Sequence, residues 1–437
     1  MQTASKKVIN GWAMYDWANS VYSLVMTATI FPAYYEAVTG DGNDESLNDK
    51  VSFLGGTFVN TSLYDYVLAI AFLLVAFTSP ILSSIADFRG NKKLFLRFFC
   101  TMGSVACCSL YFFTGSNLLV GLGGILISCI GFWGSLVFYN SYLPEIAAPE
   151  DRDDISAKGY VRGYIGSMTL QIICFVFVLM PDKFGISKGE ASRLSFVLVG
   201  TWWFGFGQWA IGRLPATTHT NTAVSSNHGL LFNGYKELLV VWQQVKKLPV
   251  LKNYLGAFFC YNMGVQTIML AATMYGKSEL NIPTTNLIVS ILIIQLVAIA
   301  GAYLIAKLSD KVGNFKALIF TVSIWVGISI FAYCVPRNGI YLFYTLATIV
   351  GFVMGGIQSL SRSTYSKLMP ETKDTTSFFS FYDVTEKLSI VFGMFSFGII
   401  NELTGSQRNS VLTLGTFFIL GIVLLMRIVK QQSKQHS

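Results

Sequence analysis

The sequence predicts an all-α membrane protein with twelve transmembrane helices in two like-oriented six-helix halves. Three observations lead there: an apolar composition poor in charge, twelve apolar stretches of spanning length, and a duplicated loop signature. Of 437 residues, 53% are hydrophobic and 12% are charged. A soluble domain carries about 25% charge, so this chain cannot cover a water-exposed surface of its size. A soluble enzyme, a nucleic-acid binder and a disordered tail are excluded as whole-chain readings. The formal net charge of +8 does not point to nucleic acid. Its basic residues come in short bursts between apolar runs, not on one surface.

A membrane helix needs about 20 mostly apolar residues. The expected spans are 11–38, 64–86, 94–114, 117–142, 158–180, 194–213, 253–276, 286–309, 315–335, 339–365, 377–403 and 409–429. The first is the weakest, since it holds Asp16, Asn19 and Pro32. Lys6 and Lys7 precede it like the charged start of a signal peptide. The stretch is long and lacks a small-residue cleavage site, so it reads as a retained helix. With the N-terminus in the cytoplasm, all but seven of the 31 Lys and Arg lie on the cytoplasmic side or in adjoining span ends. The exceptions are Lys50, Lys183, Lys188, Arg193, Lys277, Arg337 and Arg408. This asymmetry places both termini inside and requires an even number of spans. The seven cysteines lie in apolar stretches without a CxxC pair and read as small buried hydrophobes. The three histidines lie in polar segments. Neither a metal nor another cofactor is expected.

The halves are marked by repetition. Asp87-Phe88-Arg89-Gly90-Asn91-Lys92-Lys93 and Asp310-Lys311-Val312-Gly313-Asn314-Phe315-Lys316 both read D-x-x-G-N-x-K. Leu143-Pro144-Glu145 and Met369-Pro370-Glu371 recur at nearly the same interval. An even span count in each half makes the repeats parallel. The expected domains are 1–213, a linker 214–252, and 253–437. Ala216 to Asn227 reads as a flexible Ser/Thr-rich link. After it, Leu231, Tyr235, Leu238, Trp242 and Val245 form an amphipathic stripe beside Lys236, Lys246 and Lys247. That helix is expected along the inner leaflet, with partner binding as the alternative. In the repeated loops Gly90 and Gly313 permit a tight turn. Arg89, Lys93 and Lys316 hold the loops at an anionic membrane face. Asp87 and Asp310 suit a helix N-terminus in one conformation and not in another, which makes the loops candidate gates.

Longer motifs surround these loops. Trp12 to Tyr22 read WAMYDWANSVY, and Tyr261 to Thr267 read YNMGVQT. Gly355 to Ser363 read GGIQSLSRS, and Phe378 to Lys387 read FFSFYDVTEK. The Asp87 loop resembles the signature of the major facilitator superfamily. With Leu143-Pro144-Glu145, the longer motifs resemble the vacuole-effluxer-like family, which holds fungal autophagy-related vacuolar amino-acid effluxers and bacterial relatives. The resemblance runs over nearly the whole chain. It implies the major facilitator fold, a substrate cavity between two bundles and alternating access. It also implies amino-acid-like substrates. The chain departs from the family at Met263, where relatives often carry an acidic residue.

Intramembrane polar residues are the candidate site. A charge at the bilayer centre costs about 2.5–3.5 kcal/mol on insertion scales. Lys387 lies roughly 15 Å into its span at 1.5 Å per residue. Asp383, four residues earlier, shares its face and is a candidate ion-pair partner. Glu386 points about 100° away. Lys387 reads either as half of a structural pair or as the binder of a substrate carboxylate. Asp16 lies near the cytoplasmic mouth and is a proton-carrier candidate or the static partner of Arg162. Asn262 and Gln266 share one face, as do Gln358 and Arg362, the latter a further ion-pair candidate. With Asn19, Tyr139, Asn140 and Glu386, these complete the expected cavity lining, and Asp16 and Glu386 are the proton-coupling candidates. The remaining aromatic residues are expected mostly at the lipid face or in interfacial belts, with Tyr15 and Trp17 as exceptions.

The expected activity is secondary transport of a small polar or zwitterionic solute, of the amino-acid-like class that the resemblance implies, driven by protons. The alternatives are export of drugs or metabolites, and a sensor that binds without moving solute. Lys387 argues against hydrophobic cations. No HExxH, GxSxG or buried histidine supports an enzyme. The expected partners are the solute, H+ and the lipid bilayer, without nucleic acid, around a monomer. A bacterial inner membrane is favoured over a vacuole.

Overall fold

The computed structural model describes residues 2–40, 49–216 and 230–436. The first span is α1 (Lys6–Val21) and α2 (Ile30–Thr39), joined by a π-helical stretch, Tyr22–Thr29. Pro32 offers no N–H to the carbonyl one turn back, and the ladder widens just before it. The Thr29 hydroxyl caps this wide turn on the Leu24 carbonyl at 2.8 Å. A short antiparallel hairpin follows, β1 (Lys50–Phe53) and β2 (Gly56–Val59). Then come α3 (Asn60–Arg89), α4 (Lys92–Ser109), α5 (Leu118–Asn140), the single turn α6 (Leu143–Ile146), α7 (Arg152–Leu179) and α8 (Lys188–Arg213). The remaining helices are α9 (Leu230–Lys247), α10 (Pro249–Met274), α11 (Thr284–Val312), α12 (Asn314–Cys334), α13 (Ile340–Leu368), α14 (Thr375–Thr404) and α15 (Gln407–His436). A second π-helical stretch, Tyr275–Glu279, extends α10.

Ten helices among the described residues are long and apolar enough to cross a membrane. The other two expected spans, 11–38 and 377–403, are also helical, within 6–39 and α14, and they carry Asp16 and the Asp383–Glu386–Lys387 group. Exposed apolar side chains such as Phe77, Leu94 and Phe395 form the lipid-facing surface of this multi-pass membrane protein.

Packing divides the chain into two compact units. The first comprises the described residues of Ser5–Asn140 and Ile165–Gly234, the second those of Met1–Ala4, Ser141–Tyr164 and Tyr235–Ser437. Packing therefore groups Ser141–Tyr164 with the C-terminal helices, whereas the halving by span count cuts elsewhere. In the first unit α4 lies against α5 and α8, α1 against α8, and α3 against α5. In the second, α11 pairs with α13, and α10 and α12 pair with α15. Helices in lipid associate through close backbone approach at small residues. At the α11–α13 crossing, a Cβ on Gly351 would lie 2.7 Å from the Ile294 carbonyl oxygen.

More aromatic residues lie inside than the expected exceptions, which included Tyr15 and Tyr139. Trp12, Trp203, Trp325, Tyr15, Tyr22, Tyr35, Tyr139, Tyr254, Tyr261 and Tyr365 are fully buried. For several tyrosines the polar end is satisfied inside, whereas the Tyr15 hydroxyl and the Trp203 and Trp325 indoles are buried without a hydrogen-bond partner among the described residues. Tyr34 donates to the Phe113 carbonyl at 2.7 Å, Tyr35 to that of Asn60 at 3.0 Å, and Tyr254 to that of Ser361 at 2.8 Å. Tyr275 and Tyr365 do the same with Ala332 and Phe378. A ring fills the seam between helices while its hydroxyl finds an acceptor that lipid lacks.

The link Ala216–Asn227 lies, from residue 217 on, outside the described residues. In α9, Val241 and Val245 are buried in the core of the second unit, and Trp242 stacks on Phe381 at 5.8 Å. This part of the amphipathic face thus packs on its own bundle, because α14 offers it an apolar partner. Leu239 and Val240 remain exposed.

Gly351→Val should cost about 1–3 kcal/mol, the usual penalty of overpacking. Thermal unfolding of the purified protein would show the loss. Gly398→Val, where a Cβ meets nothing within 4 Å, should leave the midpoint in place.

Candidate solute site

The charged group of α14 forms one cluster in the second unit. Lys387 is buried and donates to Asp383 Oδ1 at 2.7 Å. Its Nζ also lies 3.4 Å from Glu386 Oε2, so the flexible lysine reaches the carboxylate that helix geometry alone places off its face. One lysine thus faces two carboxylates. The Glu386 side chain keeps 20% exposure against 2% for Lys387, so Glu386 is the more open of the two. Asp383 Oδ2 is buried without a hydrogen-bond partner among the described residues. Gln266 of α10 donates to Glu386 Oε1 at 3.4 Å, and Asn262 donates to Ser389 Oγ at 2.6 Å. The structure therefore brings Asn262, Gln266, Asp383, Glu386 and Lys387 together. Met263 is buried on the same helix, and its carbonyl oxygen lies close to Gly393 of α14.

A second polar group stands in the first unit. Asp16 of α1 is buried and accepts from the Tyr139 hydroxyl at 2.7 Å. Trp12 stacks on the Tyr139 ring at 4.7 Å and donates from its indole to the Tyr139 carbonyl at 3.0 Å. Tyr15 lies 5.0 Å from the same ring. Asp16 thus sits in an aromatic box formed by α1 and the end of α5. Asn19 is buried one turn on, and its Nδ2 has no partner among the described residues. Asn140 ends α5, half-buried. Trp17 stacks on Trp202 at 5.5 Å.

Gln358 and Arg362 lie on α13 in the second unit. Tyr164 donates to Gln358 Oε1 at 2.8 Å. Arg362 is buried, donates from Nε to Ser156 Oγ at 3.0 Å and from a terminal nitrogen to the Ser156 carbonyl at 2.9 Å, and lies over the Tyr160 ring. Arg162 is half-buried on α7.

The two repeated loops are built differently. Gly90 ends α3 in the left-handed region at φ 62°, with its N–H on the Asp87 carbonyl. Gly313 precedes α12 at φ 85° and ψ 152°. Both conformations favour glycine. Asp87 is half-buried, Arg89 is exposed, and Lys93 donates to the Leu214 carbonyl at 2.6 Å. In the second loop Asp310 and Lys316 are exposed, and Asn314 makes the contacts. Asn314 Nδ2 donates to Asp153 Oδ1 at 2.9 Å and to Thr364 at 3.0 Å. Asp153 also accepts from Ser309 at 2.9 Å and from Lys367 at 2.6 Å. Beside it, buried Arg152 donates to the carbonyls of Ala147, Ser366 and Pro144. Sequence reasoning did not single out Arg152, Asp153, Asn314 or Lys367. The usable signal was Asn at the fifth position of both loops.

A family described as "Vacuole effluxer Atg22 like" matches residues 4–437. An uncharacterized MFS-type transporter of Bacillus subtilis, YxiO, is 30% identical over 98% of this chain and 96% of its own length. Autophagy-related protein 22 of Eremothecium gossypii is 25% identical over 99% of this chain and 92% of its own. Among solved structures, the human organic anion transporter MFSD10 aligns with a TM-score of 0.71 at 12% identity, covering 96% of this chain and 98% of the other. The major facilitator transporter FucP in its outward conformation aligns at 0.68 and 11%, covering 97% of each chain. These structural likenesses show the fold.

Asp153→Ala leaves three donors around a buried vacancy. Because Lys367 keeps 23% side-chain exposure, the cost of breaking a buried pair is discounted to about 1–3 kcal/mol. Denaturation should register it, while exposed Asp310→Ala should stay within about 0.5 kcal/mol of the parent.

Proposed function

The chain belongs to the vacuole effluxer Atg22-like family of major facilitator transporters, and from that premise we propose that it carries a small zwitterionic, amino-acid-like solute by alternating access coupled to protons. Transport across a membrane is the activity of the superfamily. The solute class and the coupling are our reading of the site. The observation that carries it is Lys387, buried and held by both Asp383 and Glu386.

The charge balance suggests the mechanism. With both carboxylates ionised, Lys387 has no spare attraction for a substrate carboxylate. Glu386 is the more open of the two carboxylates. A proton on Glu386 removes its charge and releases its share of the ammonium, which then turns to the solute carboxylate. Asp383 keeps Lys387 charged throughout, and its unpartnered Oδ2 suits the solute ammonium. Loss of the proton restores the Glu386–Lys387 contact and expels the solute carboxylate. Proton and solute therefore bind together, which is the thermodynamic content of symport. In the first unit Asp16 is the other candidate carrier, with Tyr139 stabilising its ionised form. One charge crossing 100 mV yields about 2.3 kcal/mol, which sustains a concentration ratio of about 50 at equal stoichiometry. The Gln358–Tyr164 and Arg362–Ser156 contacts and the Asp153–Asn314–Lys367 network serve as latches at the gating-loop end. The Bacillus relative shares more identity with this chain than the Eremothecium one, which supports a bacterial plasma membrane, and the Lys/Arg asymmetry supports both termini in the cytoplasm.

Purified protein in liposomes, screened with radiolabelled amino acids, short peptides and sugars, tests this directly. Uptake of a zwitterionic amino acid should follow an imposed pH gradient, and indifference to the gradient would remove the coupling. Lys387→Ala should abolish binding of the transported solute. Glu386→Gln, which mimics the protonated form, should keep binding and counterflow while losing accumulation against a gradient. Unchanged accumulation in Glu386→Gln would exclude that residue as the carrier.

A further inference from the structure

At the junction of α12, α13 and α15, within the second unit, lies a cavity of about 290 Å³. Its apolar wall includes Val312, Phe315, Leu368 and Val429, and its polar wall carries Lys316 and Lys367. No carboxylate is among the described residues that line it. Lys367 is already engaged by Asp153 yet keeps 23% side-chain exposure. Lys316 is exposed. It is the last residue of the repeated loop motif, and neither the Asp153 network nor the Lys387 cluster uses it. Val312, at the end of a spanning helix beside the cavity, is 40% exposed.

We propose that this cavity seats the headgroup phosphate of an anionic phospholipid from the adjoining leaflet. The cavity stands where spanning helices end, the depth at which headgroups lie. Lys316 and Lys367 both line it, Lys367 with its ammonium shared with Asp153 and Asn314. The apolar lining residues would be poor company for a free, fully hydrated phosphate, but they suit a glycerol backbone and the first methylenes of an acyl chain. Basic pockets between membrane helices hold lipid headgroups by this combination. The site is separate from the Lys387 cluster, so it stands whatever solute is carried.

Native mass spectrometry of the full-length protein in detergent tests the assignment with three probes: dioleoyl phosphatidylglycerol, dioleoyl phosphatidylcholine and inorganic phosphate. Phosphatidylglycerol should be retained, and phosphatidylcholine, whose choline cancels the phosphate charge, should not. Lys316→Gln should lower phosphatidylglycerol retention by about fivefold, the factor expected for one lysine at a membrane surface. Lys311→Gln, on the same loop but outside the lining, should leave it unchanged. Gln432→Trp fills the cavity from α15 without touching either lysine and should give a comparable loss. Equal retention of the two lipids would overturn the proposal. So would full retention in both Lys316→Gln and Gln432→Trp, or displacement of the lipid by millimolar phosphate, which would assign the cavity to a soluble phosphate compound.

Discussion

A single ammonium group inside a membrane helix constrains its surroundings. Lys387 is buried, and the chain supplies Asp383 on the same helical face and Glu386 beside it to balance the charge. Those carboxylates need surroundings too. Gln266 reaches Glu386, and Asn262 ties the helix carrying the cluster to α10 through Ser389. The close approach at Gly393 and the stack of Phe258 on Tyr382 at 4.4 Å lock the same two helices together. Packing and charge are thus one arrangement. A helix pair that binds this tightly can hold a buried cation, and the buried cation requires a pair that binds this tightly.

The same burial explains the tyrosines. In a soluble core a buried phenol is an inconvenience that a nearby polar group relieves. Between membrane helices it is a tie, because main-chain carbonyls are the abundant acceptors there. Tyr34, Tyr35, Tyr254, Tyr275 and Tyr365 each reach one. Association in lipid has little hydrophobic drive, and such ties add direction to it.

What the sequence shows and what it hides follow from range. Spanning length and the repeated loops are local properties, and each was legible residue by residue. The Lys387–Asp383 contact was legible because it obeys a four-residue spacing. The Glu386 contact was not, because backbone geometry ignores how far a lysine can swing. In the repeated loops the conserved-looking Asp drew attention, yet Asn314 holds Asp153. Nothing near residue 314 in the chain announces residue 153. Arg152 is the same case, bound to the Ser366 carbonyl across more than two hundred positions. The aromatic residues show the same limit: composition tells how many rings there are, and only the seams between helices tell which of them go inside.

The grouping of Ser141–Tyr164 with the C-terminal helices bears on how the chain is made. Its partners, among them Ser359, Ser366 and Thr375, leave the ribosome much later than the segment itself. The start of α7 therefore enters the bilayer with the Ser156 hydroxyl and one arm of the Arg152 guanidinium still waiting for acceptors, although Arg152 already reaches the nearby Ala147 and Pro144 carbonyls. Biogenesis must shelter them until the last third is synthesised. A nascent chain halted after its sixth span would hold a correctly inserted but incompletely closed bundle, a natural client for an insertase or a quality-control protease.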